Sequence, residues 1–311
     1  VDAVFNVAIP VFALIFAGFM AAKIKLLGPA SSEALNRFVY WFALPAVLFL
    51  VMFRVPISQV MNPGFLAAFG LAGLGTLIIS VLAGWLFFRL RPADLAIQAV
   101  TAIYGNVGYM GIPLCLMVFG QDGLPPAIAG TIITASIIIG VAVTVIESDL
   151  RAGAGLLKTI RGVGLALAKN PMLVAPAIGA ILALSGVPLP GAVRNFGELL
   201  GAAASPCALF ALGLFLASQP MRGDLPAVSW LIALKLLIMP LLTWLIGFHW
   251  LPVDPQMAKI ALLLNALPTG AGAFVLAQQY DRLVRQTSAS ILLSTILSVV
   301  SVSFLIALFS Q

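Results

Sequence analysis

Gly105-Asn106-Val107-Gly108-Tyr109-Met110-Gly111-Ile112-Pro113 lies inside an otherwise apolar span, and its reading decides the fold. A helix in hydrocarbon must satisfy its own backbone, so three glycines, an amide and a proline there mark a deliberate interruption. Glycine lowers the cost of unwinding, and Pro113 cannot donate to the carbonyl four residues earlier. The freed N–H and C=O groups then need a partner: another segment, water or a substrate. The chain does this again at Asn265-Ala266-Leu267-Pro268-Thr269-Gly270-Ala271-Gly272. Broken spans in corresponding places of two halves point to the binding site of a secondary transporter.

Composition agrees. The 311 residues are 62% hydrophobic and 8% charged, with a mean hydropathy of +1.15. A soluble domain carries roughly 25% charged residues, so this is an integral membrane protein. The net charge of +6 comes without a basic run that nucleic acid would need. Cys115 and Cys207 sit in apolar spans and read as small fillers. With His249 the only histidine, metal-ligand spacing is absent.

A spanning helix needs about 20 mostly apolar residues. Five candidates fill a first repeat, 1–146: Ala3–Ala22, Leu35–Phe53, Phe65–Phe88, Leu95–Phe119 and Ala127–Ile146. Gly120 to Gly123 with Pro125 and Pro126 turn the chain into the fifth. Residues 147–169 are the most polar stretch; Leu156, Ile160, Val163 and Leu167 share one helical face, with Lys158 and Arg161 opposite. That pattern predicts an amphipathic linker. A second repeat, 170–311, holds Pro171–Leu184, Arg194–Ala217, Pro226–Phe248, Met257–Gln279 and Ser288–Phe309. Five spans is an odd number, so the halves have opposite orientation, with the breaks in the fourth and ninth spans. Weak internal similarity aligns Ala96 to Pro113 with Ala258 to Val275, setting Asn106 on Pro268 and Gly108 on Gly270.

Twelve of the 16 basic residues, among them Lys23, Arg37, Arg89, Lys169 and Arg282, fall on one side of such a topology. The positive-inside bias places that side in the cytoplasm and both termini outside.

Met110-Gly111-Ile112-Pro113-Leu114, with Asn106 four residues before it, resembles the fourth-helix motif of the auxin efflux carrier family. So does Ala266-Leu267-Pro268 followed by Gly270, Phe274-Val275-Leu276-Ala277 and Tyr280. That family includes the plant PIN carriers and bacterial relatives described as malonate or malate transporters. The resemblance implies ten helices in a fold similar to that of the sodium/bile-acid symporters. Helices 1, 2, 6 and 7 would form a scaffold, and helices 3–5 and 8–10 a transport domain moving as an elevator. It also implies a homodimer. One departure is Gly105, where plant carriers have proline. The short linker looks bacterial, which implies the inner membrane.

The candidate substrate contacts follow from the breaks. A half-helix N-terminus carries unsatisfied N–H groups and about +0.5 of a charge, so two meeting at mid-membrane can hold a carboxylate without a fixed cation. Gly105, Asn106, Gly108 and Tyr109 in the first break, and Asn265, Pro268, Thr269 and Gly270 in the second, are the expected lining. Pro113, Gly111 and Gly272 shape the crossing. The competing reading is a plain Gly/Pro kink bonded to neighbouring helices. Lys235, deep inside a span, either faces the cavity or snorkels ~13 Å to the cytoplasmic end of its helix. Ser136 and Thr134 either add hydroxyls to the cavity or bond their own backbone.

No GxxxxGK[ST] loop and no acid, base or nucleophile pair is legible, which leaves ATP-driven transport and enzymes unsupported. The expected function is secondary transport of a small organic anion, a carboxylate or dicarboxylate such as malonate or malate, or an auxin-like acid. The coupling ion, proton or sodium, stays open. The alternatives are a sodium-coupled organic-anion symporter of the bile-acid type, or an anion channel.

Overall fold

Proline and its preceding residue set where helices begin. Asn62, Asn170 and Asp254 each precede a proline in the first turn, and their side chains accept from Phe65 N, Met172 N and Gln256 N at 2.9–3.0 Å. The cap satisfies one orphan donor, and proline costs nothing where its N–H would be orphaned anyway.

The computed structural model describes residues 9–150, 164–165, 168–218 and 224–309. In chain order the helices are α1 (Ile9–Lys23), α2 (Pro29–Arg54), α3 (Pro63–Leu86) and α4 (Pro92–Ile103). Next come α5 (107–119), α6 (124–150), α7 (Pro171–Leu184) and α8 (Gly191–Ser218). The last four are α9 (Leu225–Trp250), α10 (Pro255–Asn265), α11 (Ala271–Gln279) and α12 (Val284–Phe309). Six apolar helical stretches among the described residues are long enough to cross a membrane, and α1, α4 and α7 are shorter apolar helices.

Several expected boundaries shift. The fourth span is two half-helices, α4 and α5, and the ninth is α10 and α11. Pro125 and Pro126 lie in the first turn of α6 rather than in the turn before it. That turn is the 3₁₀ segment Gly120–Gly123, where Gly120 takes φ +64°. Glu147 to Leu150, assigned to the linker, continue α6; most of the linker, 151–163 with 166 and 167, lies outside the described residues.

The internal prolines do not break their helices. Pro45, Pro113 and Pro240 each stand second in an α-helical segment resumed after a π-helical turn: Val39–Ala43, Val107–Gly111 and Leu234–Ile238. A π turn widens the ladder by one residue, so the ring no longer meets the carbonyl four residues back. The first break therefore comes upstream of Pro113, at Tyr104 to Asn106.

The molecule is inside-out by the standard of a soluble protein. Phe16, Leu74, Ile181, Leu237 and Val300 are exposed, while Thr76, Ser80, Gln98, Thr101, Asn265, Ser294 and Ser298 are buried. Such a surface suits hydrocarbon as solvent, with polar side chains bonded within the bundle. The integral-membrane class read from composition is borne out.

α1 packs backbone to backbone along α8, and α7 along α2. A Cβ on Gly18 would overlap Phe210 O, one on Gly213 would overlap Ile15 O, and one on Gly179 would overlap Phe49 O. Backbones approach this closely only where the side chain is a hydrogen.

Candidate functional site

The two interruptions meet. Gly105 and Thr269 face each other as one antiparallel bridge, flanked by Asn106 N donating to Pro268 O and Gly270 N donating to Tyr104 O, both at 2.9 Å. Each break thus satisfies two of the other's freed backbone groups, which is how unwound chain survives at this depth. The pairing is symmetric about Gly105 and Thr269, so Asn106 corresponds to Gly270. The sequence alignment that set Asn106 on Pro268 is two residues out. The consequence is chemical: only one strand carries an amide there, and the space beside Gly270 is filled by the Tyr104 ring, 2.9 Å from where a Cβ would sit.

The ends of the four half-helices are sorted by sign. The N-termini of α5 and α11 line one cavity of about 880 Å³ with Gly105, Asn106, Val107, Gly108, Tyr109, Ala271 and Gly272. First-turn N–H groups have no intrahelical acceptor, so this wall is electropositive. Asn106 is 6% exposed, and its Nδ2 has no partner. An amide donor buried without an acceptor is costly, which sets Asn106 apart from the other residues of this wall. Tyr40, Thr131, Thr134, Phe215 and Phe274 are also in the lining, with Trp41 on its exposed side. The cavity reaches the surface past Glu33, Arg37, Ser218, Gln278 and Gln279. Arg37 there is held by Glu33 at 2.7 Å.

Other candidates lie elsewhere. Asn265, Pro268, Thr269 and Gly270 are behind the crossing and do not line the cavity. Asn265 is 1% exposed; its Nδ2 donates to Phe69 O (3.2 Å) and Thr243 Oγ1 (2.9 Å). Thr269 Oγ1 donates to Thr101 O at 3.0 Å, and Thr269 N to Ser294 Oγ at 3.2 Å. Ser136 is buried outside the lining, whereas Thr134 lines it but donates to Gly130 O at 2.8 Å. Thr131, which sequence reasoning missed, lines it too and donates to Ala127 O. Gly111 is where α5 passes the second break: a Cβ there would come within 2.8 Å of Leu264 Cδ2 and 2.9 Å of Leu267 Cδ1.

Lys235 fits neither of its two readings. It is 0% exposed, absent from the cavity lining, and points to the crossing from behind rather than to the membrane surface. Its Nζ donates to Asn265 O at 2.9 Å.

Asn265 therefore braces the crossing. Thr243→Val keeps the shape but leaves one buried amide hydrogen of Asn265 without an acceptor. The expected result is a loss of about 1–3 kcal/mol, measured as a lower thermal midpoint in detergent.

On the side where the cavity opens, Arg282 Nη1 donates to both oxygens of Asp94 (2.9 and 3.0 Å), Asp149 accepts from Ala93 N, and Tyr280 donates to Glu147. These bonds tie the ends of α4 and α6 to the turn between α11 and α12. They join the two halves of the chain.

Residues 3–306 match the model of a family described as "Membrane transport protein". The chain is 30% identical to "Putative malonate transporter" of Rhizobium meliloti, over 97% of this chain and 95% of that one. It is 25% identical to "Uncharacterized transporter YfdV" of Escherichia coli K12, over 93% and 92%. It is also 28% identical to "Probable auxin efflux carrier component 5c" of Oryza sativa, over 45% of this chain and 39% of that one.

Proposed function

This chain belongs to the membrane transport protein family that includes auxin efflux carriers, and on that premise we propose that it carries a small organic carboxylate by alternating access. Family and relatives are transporters, not enzymes. The observation that carries the reading is that Asn106, whose buried Nδ2 has no partner, lines the cavity beside two half-helix N-termini. Together they offer a carboxylate one side-chain donor and a wall of backbone N–H groups. Malonate enters as a candidate through the name of the Rhizobium meliloti relative, and malate and indole-acetate as acids of the same class.

The ten-span, five-plus-five arrangement is part of the proposal. It is supported by the symmetric bridge at the crossing, and by the way α1 rests on α8 as α7 rests on α2. On this reading α1, α2, α7 and α8 form the scaffold and the remaining helices the transport domain, with the cavity between them. Leu44 of α2 and Met172 of α7 lie 3.9 Å from a Cβ built on Gly108 of α5, so the two bodies touch at the substrate site itself. An elevator displacement would carry the crossing past α2, α7 and α8. The cavity opens beside Arg37 and Gln278, on the side rich in Lys and Arg; under the positive-inside rule this is an inward-facing arrangement in a bacterial inner membrane, with external termini. A homodimer is proposed from family resemblance.

Reconstituted protein is expected to accumulate labelled malonate, malate or indole-acetate with saturation. Absence of uptake for every carboxylate would reject the reading, and very high non-saturating flux would replace it with a channel. Gly272→Ala is a local check: its Cβ would lie 2.5 Å from Tyr104 Oη, so this ring of the cavity lining must shift. KM is expected to rise several-fold while the thermal midpoint changes little.

A further inference from the structure

Among the described residues Lys235 is the one charged side chain that is fully buried, and the cavity lining does not include it. Its ammonium contacts two protein atoms, Asn265 O at 2.9 Å and Met239 Sδ at 3.2 Å. Among the described residues no carboxylate pairs with it. An ammonium buried without a counter-charge is expensive, so something must offset it. The crossing supplies the offset. Asn265 is the last residue of α10, so its carbonyl belongs to the negative end of a half-helix. The same Nζ lies 3.3 Å from where a Cβ on Gly105 would be, just past the C-terminus of α4 at Ile103. A larger residue at 105 would press on the ammonium. Two half-helix C-termini, each about −0.5 of a charge, thus converge on one fixed cation. The π turn Leu234–Ile238 sets the register that aims Lys235 there.

Unwound carbonyls and half-helix C-termini are the groups that coordinate a mobile coupling cation in carriers with broken helices. We propose that the Lys235 ammonium is a tethered replacement for that cation: it neutralises the back of the crossing so that the anion side works without bound sodium. This rests on the carrier reading above. Lys235 is a positioning residue, acting on the substrate through the crossing.

The first test needs no variant. Wild-type uptake and thermal midpoint are expected to be equal, within about twofold, when sodium is replaced by potassium or choline; a sodium requirement overturns the proposal. In the second, Lys235→Ala is expected to lose at least about tenfold in uptake, the scale of one charge-assisted bond. Millimolar propylammonium, which fits the emptied channel of the side chain, should restore uptake and midpoint together. Lys235→Met fills that channel without charge and should not respond to the amine. Full uptake or unchanged stability in Lys235→Met, or amine rescue of both variants alike, would overturn the proposal. If no carboxylate is carried even by wild type, the carrier reading falls, while the amine dependence of the Lys235→Ala midpoint still decides this one. If Lys235→Ala cannot be isolated, the wild-type cation exchange and Lys235→Met decide it.

Discussion

Asn106→Ala is expected to weaken carboxylate binding about ten- to hundredfold while leaving the protein folded. A neutral donor to an ionised acceptor contributes about 1.5–3 kcal/mol, which sets that range. The fold should survive because Nδ2 has no protein partner to leave stranded. Removing an unpaired buried donor even relieves a desolvation cost. The backbone bond from Asn106 N to Pro268 O does not depend on the side chain, so the bridge stays. Equilibrium binding of labelled malonate or malate in detergent, beside the thermal midpoint, checks both halves of the expectation. Unchanged affinity would remove Asn106 from the site, and a fall in midpoint that tracks the affinity would make its role structural. Asn106→Asp should be more severe, because a carboxylate facing the substrate's own repels it.

Gly213→Ala is expected to have the largest effect on stability. Its Cβ would overlap Ile15 O and come within 2.7 Å of Phe19 N, both backbone atoms of α1 that cannot swing aside. The only relief is to push α1 away from α8, giving up the close packing along that helix pair. Overpacking of this kind costs about 1–3 kcal/mol and more where backbone must move, so the midpoint should fall by many degrees or the protein fail to accumulate. Gly108→Ala is the contrast: the nearest atom to its Cβ is Thr131 Cγ2 at 3.6 Å, an ordinary contact. It should be stable, and any effect should be on transport. Equal stability of the two variants, by thermal midpoint or detergent chromatography, would count against the α1–α8 packing described here.

Proline positions show how far residue types alone can be read. Pro113 reads as part of a break within an apolar run, yet it is carried, like Pro45 and Pro240, by a π turn just before it. A π turn adds one residue to the ladder and has no residue signature of its own, so it is invisible until the helix is built. The true breaks fall at Tyr104 to Asn106 and Ala266 to Gly270, where glycine leaves room for the two strands to approach and the opposite strand supplies the bonds. That they meet was implied by the family resemblance.

Which residues line the cavity was legible for the first break, Gly105, Asn106, Gly108 and Tyr109, but not for the second. Helical phase cannot be carried across an extended segment, because the backbone re-aims there by an amount set by its partner strand. That is why Asn106 faces the cavity while Asn265 and Thr269, polar residues of the matching break, face the bundle. Lys235 was ambiguous for a related reason. A π turn rotates the helix face, and the partner is a backbone carbonyl, which every residue has.

By itself the sequence determined the membrane class, the two interruptions and the family, because these depend on hydropathy, on glycine and proline in hydrocarbon, and on short motifs. Only the tertiary structure decided that Asn265, Pro268, Thr269 and Gly270 stand away from the cavity that Asn106 lines, and that the C-terminal ends turn toward Lys235. Which end of a broken helix faces which way follows from how the two breaks pair, and that pairing runs through backbone atoms common to every residue.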